Sequence, residues 1–303
     1  VRKIVVVGLG DIARKAYLPV LAARAGLDLH LMARDPGRLA QVAEQYRVPV
    51  GRRLSDLDAV LAVEPEAAFV HVATAAHAEV VGRLLAAGVP TYVDKPLADT
   101  IEGARDLVAQ AEASHVPLMV GFNRRYVPAY QRVLAQPREV VLLQKNQNGG
   151  AGDIREIVYD DFIHVVDTLR YLVPGPARHT HVAGAVTGGV LTHVTLTLTG
   201  PGYTATGVLH RAAGAKQERL DVLGGGRTTQ VVDLVQVTEH HDGQQRLLPQ
   251  DGWAPVARQR GVEQVCSVFL DGVFGDGALP GLRDALATHE LCERVVLELE
   301  RLA

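Results

Sequence analysis

Lysine is scarce in this chain of 303 residues. Only Lys3, Lys15, Lys95, Lys145 and Lys216 occur, so arginine supplies nearly all of the 31 basic side chains. A GC-rich genome accounts for the bias as a whole, and the positions that keep lysine are informative against it. Cysteine is scarcer. Cys266 and Cys292 lie far apart, with no CxxC or Cys/His spacing, which excludes a disulfide framework and a zinc site built on cysteine. Both sit in apolar, helix-like surroundings and read as small core residues. Charge excess is missing too: 34 acidic residues against 31 basic ones give a net charge of −3. A nucleic-acid binder concentrates positive charge, so that class is excluded. No run of about 18 uncharged apolar residues is present, so no membrane span is expected. The first residues, Val1 to Gly8, read as a strand ending in a glycine turn, not as a signal peptide. A cytoplasmic protein is the expectation. No GxSxG elbow occurs, and Ser55, Ser114 and Ser267 lie in no nucleophile context, which argues against a serine hydrolase.

The chain does have two contrasting hydrophobic patterns, consistent with about two domains at roughly 150 residues each. Up to residue 122, short apolar runs alternate with helical patterns. Ile4–Val7, Leu29–Met32, Ala67–Val72, Thr91–Val93 and Leu118–Val120 read as strands buried on both faces. Helical patterns between them predict a parallel sheet covered on both sides. From residue 123 to 303 the pattern becomes alternating. Val140–Lys145, His179–Val186, Thr192–Leu198, Thr204–His210, Arg219–Val222 and Val231–Val237 read as strands of an antiparallel sheet, interrupted by a helix near Tyr159–Leu172. Helical patterns at Val262–Val273 and Leu282–Leu302 close the chain and are able to pack back on the first domain. The expectation is an α/β protein with domains 1–122 and 123–303.

Gly8-Leu9-Gly10-Asp11-Ile12-Ala13 follows the first strand and opens the first helix. Glycine at 8 permits a tight turn, glycine at 10 lets backbone approach a pyrophosphate, and the helix N-terminus offers free N–H groups. Gly8, Gly10, Asp11 and Ile12 are therefore candidate cofactor contacts. Asp28 stands at nominal spacing for a ribose contact but begins its strand, and ligands bind at carboxyl ends. At the strand end, Ala33 occupies the place of a ribose-binding acid and Arg34 follows, with Arg38 one turn on. A guanidinium there pairs with a 2′-phosphate, which favours NADP, with NAD as the alternative if Asp35 takes the ribose.

Asp94-Lys95-Pro96 follows the strand at Thr91–Val93, Gly121-Phe122-Asn123-Arg124-Arg125-Tyr126 follows the next, and Asp160-x-x-x-His164-x-x-Asp167 comes on the later helix. In this order behind Gly8-x-Gly10, the three motifs resemble the Gfo/Idh/MocA oxidoreductase family. Lys15-Ala16-Tyr17-Leu18-Pro19, His164-Val165-Val166-Asp167 and His210-Arg211-Ala212-Ala213-Gly214 look most like its MviM branch. The resemblance covers nearly the whole chain. It implies an N-terminal Rossmann domain, then an α/β domain whose large, mostly antiparallel open sheet forms a homodimer or homotetramer interface. It also implies pyridine-nucleotide redox chemistry on a sugar, polyol or similar small molecule. Two departures stand out. The family more often has glutamate where Asp94 stands, and it commonly has proline in the turn that here reads Thr74-Ala75-Ala76-His77. Thr74, His77, Asp94 and Lys95 complete the candidate cofactor set.

Hydride transfer needs a group for the hydroxyl proton. Lys95 is one candidate. A free lysine amine titrates near 10.4, so this role requires a lowered pKa. His164 is the other, with Asp160 at i−4 and Asp167 at i+3 on its helical face. The reading favours His164 as acid/base, Asp160 orienting it and binding substrate, Asp167 supporting it, and Lys95 and Arg124 on the substrate. Family mechanisms differ over which of Lys95 and His164 takes the proton. Other histidines are less informative. His71 reads as a hydrogen-bonded core residue, and His179, His181, His240 and His241 lack the partners of a metal site. A non-catalytic sensor on the same fold is the competing function, against which the joint presence of Lys95, Asp160 and His164 argues.

Overall fold

The computed structural model describes residues 1–302. The chain divides into two compact units, Val1–Phe122 with Val262–Leu286, and Asn123–Gly261 with the residues from Ala287 on. The boundary near the C-terminus falls inside one helix, Leu282–Glu300.

The first unit is built on six parallel strands: β1 (Arg2–Val7), β2 (Leu27–Met32), β3 (Arg53–Leu54), β4 (Ala67–Val70), β5 (Thr91–Asp94) and β6 (Leu118–Gly121), in the order β3-β2-β1-β4-β5-β6. The chain reverses direction across the sheet beside β1, which creates a crevice at the carboxyl ends of β1 and β4. Ile4 to Val7 and Ala67 to Val70 are fully buried, as strands covered on both faces require. Pro36–Gln45, His77–Ala86 and Ile101–Ser114 are among the covering helices. Val262–Phe274 belongs to the same unit, where Phe269 meets Phe69 edge-on at 5.1 Å between ring centroids. The two-residue strand β3 and the helix Leu57–Ala62 have no counterpart in the sequence reading, because each is too short to show a period.

The second unit holds nine strands: β7 (Val140–Asn146), β8 (Gly152–Asp153), β9 (His179–Thr187), β10 (Val190–Gly200), β11 (Tyr203–His210), β12 (Gln217–Gly224), β13 (Arg227–Val232), β14 (Gln236–His241) and β15 (Gln244–Leu247). Their order is β15-β14-β13-β12-β7-β11-β10-β8, with β9 also on β10. Every pair is antiparallel except β11 with β7. The segment Val231–Val237, expected as one strand, instead turns a corner. Asp233 and Leu234 adopt left-handed φ of 50° and 68°, so a hairpin forms without the glycine that would announce it. The helix Ile163–Leu172 lies against β7 and β11. Its entry is unusual: Ile154–Ile157 is α-helical, and Val158–Phe162 is a single π turn. A π turn shifts side-chain phase, which alters the partners available to Asp160 and His164. No helix among the described residues is long and apolar enough to cross a membrane.

Gly207 on β11 sets how closely the His164 helix approaches the sheet. A Cβ there would collide with Val165 Cγ1 and lie 2.8 Å from Leu169 Cδ1. Gly207→Ala is therefore expected to destabilise the fold by about 1–3 kcal/mol through overpacking, read as a lower urea midpoint.

Candidate active site

In the first unit a cavity of about 630 Å³ opens at the carboxyl ends of β1, β2 and β4, within the size range of small-molecule sites. Gly8 through Gly10, Ala33, Arg34 and the His71–Ala73 turn are among its walls. Gly8 has φ +94°, and a Cβ there would sit 2.7 Å from the His71 carbonyl carbon and the Val72 nitrogen. Only glycine allows that crossing of the two turns. At Gly10 a Cβ would meet nothing nearer than the His71 carbonyl oxygen at 4.0 Å, so this backbone faces open space as a phosphate cradle requires. The geometry fits a dinucleotide. Asp11 does not contribute its carboxylate, which is exposed and paired with Arg14 at 2.5 Å and Lys15 at 2.8 Å. These hydrogen bonds, above all the one from Lys15, hold its pKa below the ordinary value. Ile12 is likewise half exposed.

The end of β2 forms another part of this wall. Ala33 is buried at the end of β2, and exposed Arg34 and Arg38 both line the cavity. Asp35 caps the helix Pro36–Gln45, its Oδ1 accepting the Arg38 N–H at 2.9 Å. Asp28 is the second residue of β2 and pairs with Arg52 at 2.8 Å, at the opposite end of the strand from Ala33.

Lys95 follows directly on β5, and its backbone N–H donates to Asp94 Oδ1 at 2.9 Å. The Lys95–Pro96 peptide is cis. Thr74 begins the short turn that leads to His77 and is half-buried. His77, expected at the cofactor, is buried with Nδ1 2.7 Å from the Pro96 carbonyl and Nε2 3.1 Å from the Val72 carbonyl. Burial pushes its pKa down despite those carbonyls. The neutral ring carries one N–H and both neighbours are carbonyls, so it donates to one of them at a time, the Pro96 carbonyl being the nearer. His71 corrects another expectation. Its ring lies 4.1 Å from Tyr17 between centroids, and neither nitrogen has a partner among the described residues. Burial lowers its pKa to about 3, so it is a neutral, packed ring.

The second unit carries His164, and of the two carboxylates expected beside it Asp167 is held by another residue. Asp160 lies exposed in the π turn. Asp167 is buried and belongs to Arg125, which donates to its two oxygens at 2.9 and 2.5 Å, with Thr288 adding a third bond at 3.0 Å. Burial raises the Asp167 pKa against the opposing pull of Arg125. His164 Nδ1 instead receives a hydrogen bond from Arg124 Nη1 at 2.9 Å. Arg124 is itself held by Glu218, from Nε at 3.0 and 3.2 Å and from Nη2 at 2.8 Å. Tyr130 donates to Glu218 as well, at 2.9 Å. Arg124, expected to meet substrate, is therefore committed to protein groups.

Glu218 and Lys145 were not singled out by the sequence reading. They face each other in the β12–β7 register. Lys145 is 6% exposed and donates at 3.0 Å to both the carbonyl and the carboxylate of Asp161, which also pairs with Arg211. The available signal was alternation. Glu218 shares a strand face with Leu220 and Val222, and Lys145 with Val141 and Leu143, so both charges stand at inward positions.

Burial, with Arg124 adding to it, lowers the Lys145 pKa to about 8. Its unfolded value is near 10.4, so between these values the unfolded chain binds more protons than the folded one. The contribution of Lys145 to stability then rises with pH across that window. The urea midpoint of the natural protein, minus that of Lys145→Met, is expected to increase from pH 8 to pH 10. A flat or falling difference contradicts the assignment.

Comparison with known proteins agrees with this geometry. Residues 2–122 match the model of the oxidoreductase family GFO_IDH_MocA, NAD-binding Rossmann fold, and residues 128–242 match a YceM-like C-terminal domain. The YceM protein of Salmonella typhimurium is 34% identical over 278 residues, spanning 89% of this chain and 89% of that protein. An inositol 2-dehydrogenase of Paracoccus denitrificans is 31% identical over 181 residues, 56% of this chain and 54% of that protein. The crystal structure of a dehydrogenase (MviM) from Clostridium difficile superposes with a TM-score of 0.92 at 25% identity, over 98% of this chain and 99% of that one. A parallel nucleotide-binding sheet followed by a nine-stranded mixed sheet, joined to similarity along nearly the whole chain, places this protein in the Gfo/Idh/MocA family of oxidoreductases.

Proposed function

We propose that the protein is an NADP(H)-dependent oxidoreductase. It moves a hydride between the nicotinamide and a sugar-like, polyol or cyclic hydroxy or carbonyl compound. The similarity to an inositol 2-dehydrogenase supports the substrate class. A bound nicotinamide supplies the hydride chemistry; the protein supplies position and proton transfer. Lys95, at the carboxyl edge of β5, and His164, on the helix over the second sheet, handle the proton and the substrate oxygen. Asp160 is exposed and serves as a substrate hydroxyl contact.

The observation that carries the cofactor preference is the commitment of Asp35 to a helix cap. With Ala33 at the strand end, the Asp35 carboxylate is turned partly to the cap through Oδ1, while Arg34 and Arg38 stand beside it on the cavity wall. A 2′-phosphate there gains charge-assisted hydrogen bonds.

The exposed face of the second sheet, where Leu142 is 42% exposed, supports assembly into a homodimer or homotetramer, which sedimentation should distinguish from a monomer. For the cofactor, fluorescence titration is expected to show NADPH binding more tightly than NADH. Arg34→Ala should weaken NADPH binding about tenfold while leaving NADH within about twofold. Tighter binding of NADH by the natural protein overturns the preference.

A further inference from the structure

Two groups commonly meet the Nδ1 atom of a working histidine, and they have opposite consequences. A carboxylate accepts, so the ring proton goes to Nδ1 and Nε2 is left as a base. A guanidinium only donates, because it has five N–H groups, no acceptor and no accessible deprotonated form. At His164 the partner is Arg124 Nη1, at 2.9 Å. The ring must then accept at Nδ1, and its single proton sits on Nε2.

What keeps Arg124 in that place is Glu218. Two of its guanidinium nitrogens are tied to the Glu218 carboxylate, which leaves Nη1 aimed at the ring. The carboxylate is fixed in turn by the Tyr130 hydroxyl at 2.9 Å, while the Glu218 backbone N–H is anchored on Asp233 Oδ1, also at 2.9 Å. The side chains of Arg124 and Glu218 are 12% and 11% exposed. Burial alone would raise the Glu218 pKa, but Arg124 outweighs it and keeps the carboxylate ionised. A pair this buried contributes little net stability compared with an apolar pair of similar volume. Its inward position on a strand otherwise lined by Leu220 and Val222 calls for another reason.

We propose that Glu218 is a positioning residue for the reaction, holding Arg124 so that His164 presents an Nε2–H donor to the substrate oxygen and does not act as its base. This rests on the oxidoreductase reading above. In the oxidising direction the carbinol C–H bond gives its electron pair and hydrogen to the oxidised nicotinamide. The O–H proton passes to the Lys95 amine, and the C=O bond forms. His164 donates to that oxygen throughout and keeps its proton. In the reducing direction the Lys95 ammonium returns the proton to the oxygen.

The test uses full-length protein with ¹⁵N-labelled histidine, with the His164 signals assigned by their loss in His164→Gln. In the natural protein, long-range ¹H–¹⁵N spectra near neutral pH are expected to show an unprotonated Nδ1 and a protonated Nε2. In Glu218→Gln the two nitrogen shifts should move toward each other as the tautomers mix, and in Glu218→Asp they should move part of the way. NADPH affinity should stay within about twofold in both, because the nucleotide cavity contains none of these residues. A protonated Nδ1 in the natural protein overturns the proposal. So does a ring signal unmoved by either Glu218 variant. Failure to bind NADPH defeats the functional reading instead and leaves the tautomer result standing.

Discussion

A buried guanidinium organises the second unit of this protein. Arg124 stands in the turn Asn123–Tyr126 and connects it to β12 through Glu218 and to the helix Ile163–Leu172 through His164. Removing one member of such a buried pair costs about 3–5 kcal/mol, because the remaining charge is left without a partner. The arrangement therefore resists drift, and the orientation of His164 follows from it. Arg125, the next residue, does the same for Asp167. Two adjacent arginines thus fix two points of one helix, and neither is left as a general cation for ligands. The neighbouring Lys145 lies in the field of Arg124 and shares Asp161 with Arg211. Burial there, with Arg124 adding to it, lowers its pKa.

The nucleotide half depends on steric constraint more than on charge. Gly8 passes so close to the turn after β4 that any side chain would strike backbone. Gly10, two residues on, faces open space. Asp35 shows how a local rule bears on ligand choice. An aspartate before Pro36 is a good helix cap, and the cap engages one oxygen of a carboxylate that also lines the cavity. The arginines beside it then set the character of that end of the cavity.

Most of the architecture was legible in the sequence. Strands such as Ile4–Val7 are apolar throughout because both faces are covered, and strands such as Tyr203–His210 alternate because one face is not. The glycine turn, the Ala33-Arg34 strand end and the three motifs could also be read directly. Partnerships were less accessible. Helical spacing suggested that Asp160 and Asp167 serve His164, but spacing says nothing about the arginines that arrive from residues 124 and 125. The π turn at Val158–Phe162 and the glycine-free hairpin at Asp233-Leu234 leave no periodic trace. Glu218 and Lys145 did leave one, as charges at inward positions of alternating strands, a pattern worth reading as a site whenever it occurs in opposed strands.

The central claim is that this chain carries out nicotinamide redox chemistry on a hydroxy or carbonyl compound, beyond binding the dinucleotide. The most direct measurement is label transfer. The protein is incubated with NADPH deuterated at the transferable C4 position and a panel of keto-sugars and cyclic polyol ketones, and the products are weighed by mass spectrometry. The account predicts an alcohol product carrying deuterium at the former carbonyl carbon. Tight NADPH binding with no deuterium in any product across the panel would contradict it and favour a sensor built on the same fold.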